Sequence, residues 1–283
     1  HADEEPYNLA TLQIVALAQR AGARALFFTW QNLFRRYPLP VRLIERYCYG
    51  RVAGAIAGNA EAREVLRRKG YAGPAWVIPQ FGVDPELFAP YSAASATPNG
   101  HFRVGYVGRL EHKKGVQVLV AACGKLGPGV QLDLLGWGPE ERRLRALAAA
   151  CGLKERLHIH SARASTEVPA FLRELDVLVL PSLTTPQWKE QFGRVLVEAM
   201  ACETAVIGSD SGEIRRVIGD AGLLFPEGDS AALVGQLTRL RDDPALRREL
   251  GVRGRQRVLA HYTQQRIAER TWRVYEAIAE QGE

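Results

Sequence analysis

Along this chain the apolar positions alternate between two rhythms, short β-branched runs and longer stretches of helical period. Residues 8–21 (Asn-Leu-Ala-Thr-Leu-Gln-Ile-Val-Ala-Leu-Ala-Gln-Arg-Ala) carry one apolar face at helical spacing and stop at Gly22. The pattern then predicts a strand at 25–29, a helix at 41–49, a strand at 53–57, a helix at 60–69 stopped by Gly70, and a strand at 76–79. Residues 82–88 are a loop, and residues 91–100 (Tyr-Ser-Ala-Ala-Ser-Ala-Thr-Pro-Asn-Gly) have linker composition, which places a domain boundary there. Beyond it, strands are predicted near 102–108, 131–136, 157–160, 177–181, 205–208 and 222–225, each followed by a helical stretch. The last helices span about 230–260 and 263–280. Strands separated by helices imply right-handed crossovers and a parallel sheet covered on both faces. No internal repeat or low-complexity tract interrupts this order.

Two segments of that pattern carry candidate chemistry. In Glu190-Gln-Phe-Gly-Arg-Val-Leu-Val-Glu198-Ala-Met-Ala, Gly193 is the junction between loop and helix, and Val195, Leu196, Ala199 and Met200 form the buried stripe. Glu190 and Glu198 therefore border a helix N-terminus, where free N–H groups and the helix dipole suit an anion such as a diphosphate. Alone, the segment also fits a surface helix with two solvated glutamates. Upstream, Phe102-Arg-Val-Gly-Tyr-Val-Gly108-Arg109-Leu-Glu-His-Lys113-Lys114-Gly115 is a strand, a glycine turn with basic residues, and a helix start. It matches neither a Walker loop nor the full dinucleotide fingerprint. It does put Arg109 at the carboxyl end of a strand and Lys114 at a helix start, where ligands sit in open α/β sheets. An arginine fork and a lysine point charge together suit a diphosphate, though a solvated basic turn would read the same way.

The ordered set Gly108-Arg109-Leu, Lys114-Gly115, Gly136-Trp-Gly138-Pro-Glu after a Leu-Asp-Leu-Leu strand, Asp176-Val-Leu-Val-Leu-Pro-Ser, Glu190 to Glu198 and Gly208-Ser-Asp-Ser-Gly-Glu213-Ile resembles the nucleotide-sugar half of the retaining GT-B glycosyltransferases of family 4. The resemblance is dense from 102 to about 230 and loose elsewhere. It implies an α/β protein of two Rossmann-like lobes with parallel sheets: 1–93 as the latter part of an acceptor-side lobe, 101–262 as the nucleotide-sugar lobe, and 263–283 as a terminal helix returning to the first lobe. It further implies that Arg109 and Lys114 bind the donor diphosphate, Glu190 contacts the transferred sugar and Glu198 holds the ribose. The backbone of Phe192, Gly193 and Arg194 would meet sugar hydroxyls or phosphate, and Gly108 and Arg163 would complete the donor site, Arg163 near the base.

The activity so implied is transfer of a sugar from a nucleotide-diphosphate sugar to a sugar, lipid-linked or small-molecule acceptor, with retention of configuration. The catalytic expectation rests on Glu190, Arg109 and Lys114. Stabilising the leaving diphosphate is then an electrostatic task that needs no metal and no cofactor, and Glu190 orients the sugar. An epimerase or phosphorylase of the same fold, and a non-catalytic nucleotide-sugar sensor, remain as alternatives. Only 90 residues precede the linker and the sole methionine is Met200, so the first lobe is expected to lack an N-terminal segment. His1, Asp3, Glu4 and Glu5 then lie either at a cleft-facing strand end or at an exposed cut end.

Composition narrows the setting. The 283 residues are 47% hydrophobic and 24% charged, and no apolar run approaches the roughly 18 residues needed to cross a bilayer. Cys48, Cys123, Cys151 and Cys202 match no metal-ligand spacing and suit core positions in a reducing compartment, hence the cytoplasm. The formal charge of +6 is almost wholly arginine, since only six of the 37 basic residues are lysine. No basic stretch with interleaved aromatics points to nucleic acid. Trp30, Phe34, Tyr37 and Leu39 with Arg35 and Arg36 are expected to pack in the fold; the other reading is a peripheral contact at the inner membrane surface. His158 and His160 share one strand face and are expected as core or cleft polar groups rather than ligands. Glu213 is expected to cap its helix.

Overall fold

The computed structural model describes residues 1–90, 100–161 and 164–280. The chain forms two compact units, His1–Gly82 with Gln264–Glu283, and Val83–Thr263. The linker-like residues 91–99 lie outside the described residues.

The first unit runs α1 (Leu9–Arg20), β1 (Leu26–Thr29), α2 (Leu39–Tyr49), β2 (Gly54–Ala57), α3 (Ala60–Arg68) and β3 (Ala75–Val77). The strands form a parallel sheet in the order β1-β2-β3, with Leu26 opposite Gly54 and Ala55 opposite Ala75. Ala2 adds a single bridge on the other side of β1. Every residue of β1 and β2 is buried, so both faces are covered and the strands read as continuous apolar runs rather than alternating ones. Phe27, Ala55, Leu66 and Tyr71 pack together on one side. Asn59 starts α3 by accepting a hydrogen bond from the Ala62 N–H.

The second unit contains β4 (Phe102–Val107), α4 (Val116–Gly124), β5 (Val130–Leu135), α5 (Glu141–Ala150), β6 (Leu157–His160), α6 (Val168–Arg173), β7 (Val177–Leu180), α7 (Arg194–Ala201), β8 (Ala205–Ser209), α8 (Ile214–Ile218), β9 (Leu223–Phe225), α9 (Ser230–Asp242) and α10 (Pro244–His261). All six strands are parallel, in the order β6-β5-β4-β7-β8-β9. Each expected strand is present to within a residue or two. The helical stretch expected over 230–260 is two helices. Asp243 leaves the helical region (φ −122°, ψ 85°) and its side chain accepts from the Leu246 N–H, capping the helix that Pro244 opens. Finally α11 (Gln264–Glu280) returns to the first unit, where Ile267, Val274 and Ile278 pack with Leu26, Phe28 and Ile56.

Candidate functional site

Parallel strands bring all their carboxyl ends to one edge of the second sheet. The chain leaves β4 for β5 and β6 on one side and returns to β7 on the other, so its crossovers diverge between β4 and β7. A crevice opens at such a point in doubly wound sheets. The loop after β4 carries Gly108, Arg109, Lys113 and Lys114; the segment after β7 carries Ser182, Glu190 and the start of α7.

These two segments meet. Lys114 Nζ lies 2.9 Å from Glu190 Oε2, and the Ser182 hydroxyl donates to the same oxygen at 2.7 Å. Glu190 is only 7% exposed, and a carboxylate so enclosed is held by charge-assisted hydrogen bonds of this kind. Lys114 Nζ also sits 4.4 Å from the centre of the Trp188 ring. The backbones are as close as the side chains: the Leu183 N–H donates to the Lys113 carbonyl at 2.8 Å. Gly115 has φ +70°, and a Cβ placed on it would fall 1.8 Å from the Pro181 carbonyl oxygen. A glycine is therefore required where α4 begins against the end of β7.

Gly193 is the N-cap of α7 in the left-handed region (φ 81°, ψ 51°), and no side chain caps this helix. Its first-turn N–H groups keep the anion-seeking character of an uncapped terminus. One turn into the helix, Glu198 is 9% exposed and pairs with Arg194, Nε to Oε1 at 2.7 Å. Burial pushes the Glu198 carboxyl above its ordinary range, against the pull of the Arg194 charge. Phe192 is buried edge-on against Tyr262, with ring centroids 5.8 Å apart.

Arg109 stands on the same loop as Lys114, five residues before it. Its guanidinium lies 3.7 Å from the centre of the Trp137 ring, and one nitrogen is 3.4 Å from Glu111 Oε1. Lys113 pairs with the other oxygen of Glu111 at 2.9 Å, and that bond holds the Glu111 carboxyl below the usual range. Beneath the loop, the buried Tyr106 hydroxyl donates to the Arg109 carbonyl at 2.8 Å.

Of the residues singled out from sequence, Gly108, Arg109, Lys114, Glu190, Phe192, Gly193, Arg194 and Glu198 all lie on this one edge or on the helix that opens from it. Arg163 lies outside the described residues. Ser182, Trp137 and Trp188 were missed as site groups. Ser182 follows β7 directly in the quoted Pro-Ser step, and Trp137 stands between two glycines after β5, so position relative to the strand ends was the available signal.

Glu213 departs from expectation. It occupies the N-cap position of α8 but makes no side-chain cap, because its backbone is already helical (φ −82°, ψ −5°) rather than extended. Its N–H donates to the Glu190 carbonyl at 3.2 Å, so it helps fix the segment that carries Glu190. His160 lies 3.0 Å from the buried Asp133, while His158 is exposed. Among the described residues no three His, Cys, Asp or Glu side chains cluster as metal ligands.

Residues 89–257 match the family described as glycosyl transferases group 1. The chain belongs to that family. Among similar proteins of this kind, a 2-deoxystreptamine N-acetyl-D-glucosaminyltransferase of Streptomyces fradiae is 36% identical over 150 residues, 50% of this chain and 34% of that one. A phosphatidyl-myo-inositol mannosyltransferase of Mycobacterium leprae is 36% identical over 197 residues, 65% of this chain and 50% of that one. The chain thus spans half or less of the length of these relatives. Of solved glycosyl transferases, a sucrose-phosphate synthase from Thermosynechococcus elongatus aligns with TM-score 0.79 and 28% identity, covering 97% of this chain and 72% of that one. Anabaena HepE, solved in complex with UDP, aligns with TM-score 0.82 at 18% identity, covering 95% and 76%. The fold is α/β of the GT-B type.

Proposed function

We propose that this group 1 glycosyl transferase moves a sugar from a nucleotide-diphosphate sugar to an acceptor with retention of configuration, in the manner of family 4. The observation that carries the reading is the Lys114–Glu190–Ser182 cluster, set beside the uncapped N-terminus of α7 where the crossovers diverge. A cation and a carboxylate in contact, next in the chain to a helix N-terminus that no side chain caps, suit a polar ligand that carries both phosphate and hydroxyls.

In this reading the diphosphate lies between Arg109 and Lys114 and the first turn of α7. As the bond to the sugar breaks, negative charge grows on the departing diphosphate, and these fixed cations and dipoles stabilise it without reorganising. No divalent ion is required for that step. Glu190, already oriented by Lys114 and Ser182, accepts hydroxyls of the transferred sugar, and Glu198 accepts those of the ribose. Trp137 holds the Arg109 guanidinium in place by its ring face. The acceptor is a sugar, a lipid-linked group or a small molecule.

A thermal-shift panel of nucleotide sugars tests the assignment. A bound donor at about 100 times its Kd raises stability by about 2.7 kcal/mol. One base and sugar should stand out from the panel. No shift with any nucleotide sugar or nucleoside diphosphate would contradict it.

A further inference from the structure

The first unit has a second charged site that owes nothing to the crevice just described. A groove of about 750 Å³ is bounded by the loop 34–37, by α2 and by the turn after α3. Its walls carry Arg35, Arg36, Arg42, Arg46, Arg68 and Lys69 against a single carboxylate, Glu45. Glu45 is already taken by Lys69, and both are nearly enclosed, so Glu45 does not balance Arg36, Arg42, Arg46 or Arg68. Arg36, Arg42, Arg46 and Arg68 enter no ion pair among the described residues. The groove is also preorganised. Arg68 lies 4.6 Å over the Phe34 ring, and Lys69 is fixed by Gln31 at 2.9 Å and by the Tyr37 ring at 4.3 Å. Tyr49, which lines the groove, has a buried hydroxyl with no hydrogen-bond partner.

A simpler explanation accounts for part of this. Arg46 and Arg68 stand in the last turns of α2 and α3, where the helix dipole favours a cation. Arg35, Arg36 and Arg42 stand in no such turn. These arginines are exposed and water screens part of their mutual repulsion, but like charges gathered around one groove still raise its local positive potential and attract an anion. Arginine forks match phosphate oxygens two at a time, and the volume is that of a small-molecule site.

We infer that this groove binds a phosphate-bearing ligand, a monoester or diphosphate, independently of the donor site. Such a group can come from a free phosphorylated molecule or from the headgroup of an anionic lipid, whose chains would then meet the exposed Leu39 and Leu43 beside the groove. The Arg109→Ala/Lys114→Ala variant, which disables the donor site, is titrated with inorganic pyrophosphate by calorimetry and sedimented with vesicles of phosphatidylcholine alone or with added phosphatidic acid. One of the two probes should bind. Adding Arg42→Ala and Arg46→Ala, both exposed positions, should weaken that binding by roughly tenfold or more at an unchanged Tm. The charge-matched control Arg20→Ala/Arg63→Ala should leave it intact. Pyrophosphate binding without vesicle binding identifies a free ligand; vesicle binding that requires phosphatidic acid and is competed by pyrophosphate identifies a headgroup. Binding of neither probe, or equal loss in the control, would overturn the inference.

Discussion

The two glutamates of the crevice differ in what surrounds them, and that difference predicts different failures. Glu190 is oriented by Lys114 and Ser182, whereas Glu198 is buried on α7 with Arg194 as its partner. Glu190→Gln is expected to lower turnover and sugar discrimination chiefly, and Glu198→Gln to weaken nucleoside binding. Steady-state kinetics beside nucleoside titrations would separate them; equal loss of nucleoside affinity with sugar choice untouched would show the roles are misassigned. Glu198 also gives a pH signature. Its carboxyl is raised by burial, so the folded state holds that proton more tightly than the unfolded chain does. Its contribution to stability is therefore present at acid pH and is lost as pH rises through the raised value. Hydroxyls donated to Glu198 favour the ionised form, so nucleoside affinity should fall on acidification at a pH above the usual carboxylate range, and Glu198→Gln should abolish that inflection. Both glutamates were legible in the sequence because they flank a glycine that opens an apolar helix. Ser182 was not, because a hydroxyl becomes a partner of Glu190 only once the crossover folds the segment after β7 back across the sheet edge.

At the scale of elements, the site depends on how closely α4 starts against the end of β7. Gly115→Ala forces a side chain onto a left-handed residue and into the Pro181 carbonyl. We expect a loss of about 1–3 kcal/mol in stability, read as a lower Tm, together with weaker diphosphate binding as Lys114 is displaced. Unchanged Tm and affinity would show that the loop tolerates the shift and that this packing does not set the site. The alternation of strands and helices was readable because the parallel strands of the second unit are short, mostly apolar runs bounded by turns, with β6 (Leu-His-Ile-His) the most polar of them. The break at Asp243-Pro244 was harder to see. The helical period continues across it, and α10 buries Gly251 and Gly254 among few apolar side chains, so its pattern is thin.

For the whole molecule, the arrangement of charge matters more than its sum. The net +6 is compatible with many partners, and cations gather both at the crevice of the second unit and around the groove of the first. The sequence showed the first cluster, because Arg109, Lys113 and Lys114 are neighbours in one loop. Of the second it showed only Arg35 and Arg36 beside Phe34 and Tyr37; Arg42, Arg46, Arg68 and Lys69 come from two helices and a turn farther along the chain and join them only in the fold. If Arg109, Lys114 and α7 neutralise the leaving group, transfer by the whole protein should survive chelation. Assays with the preferred donor in excess EDTA, and again with added magnesium or manganese, check this; most activity lost with EDTA and restored by metal would show that a cation does that work.

The central claim, that the β4–β7 edge of the second sheet binds the diphosphate of a nucleotide sugar, is tested most directly by calorimetry of a nucleoside and its diphosphate on the native chain, on Arg109→Ala and on Lys114→Ala. Arg109 is about half exposed, so its removal should leave the fold intact, whereas removing Lys114 also strips Glu190 of its cation and should lower the Tm further. Each substitution is expected to weaken diphosphate binding by about 1.5–3 kcal/mol, the worth of hydrogen bonds to charged groups, and to affect the nucleoside far less. Equal losses for nucleoside and diphosphate would contradict the account.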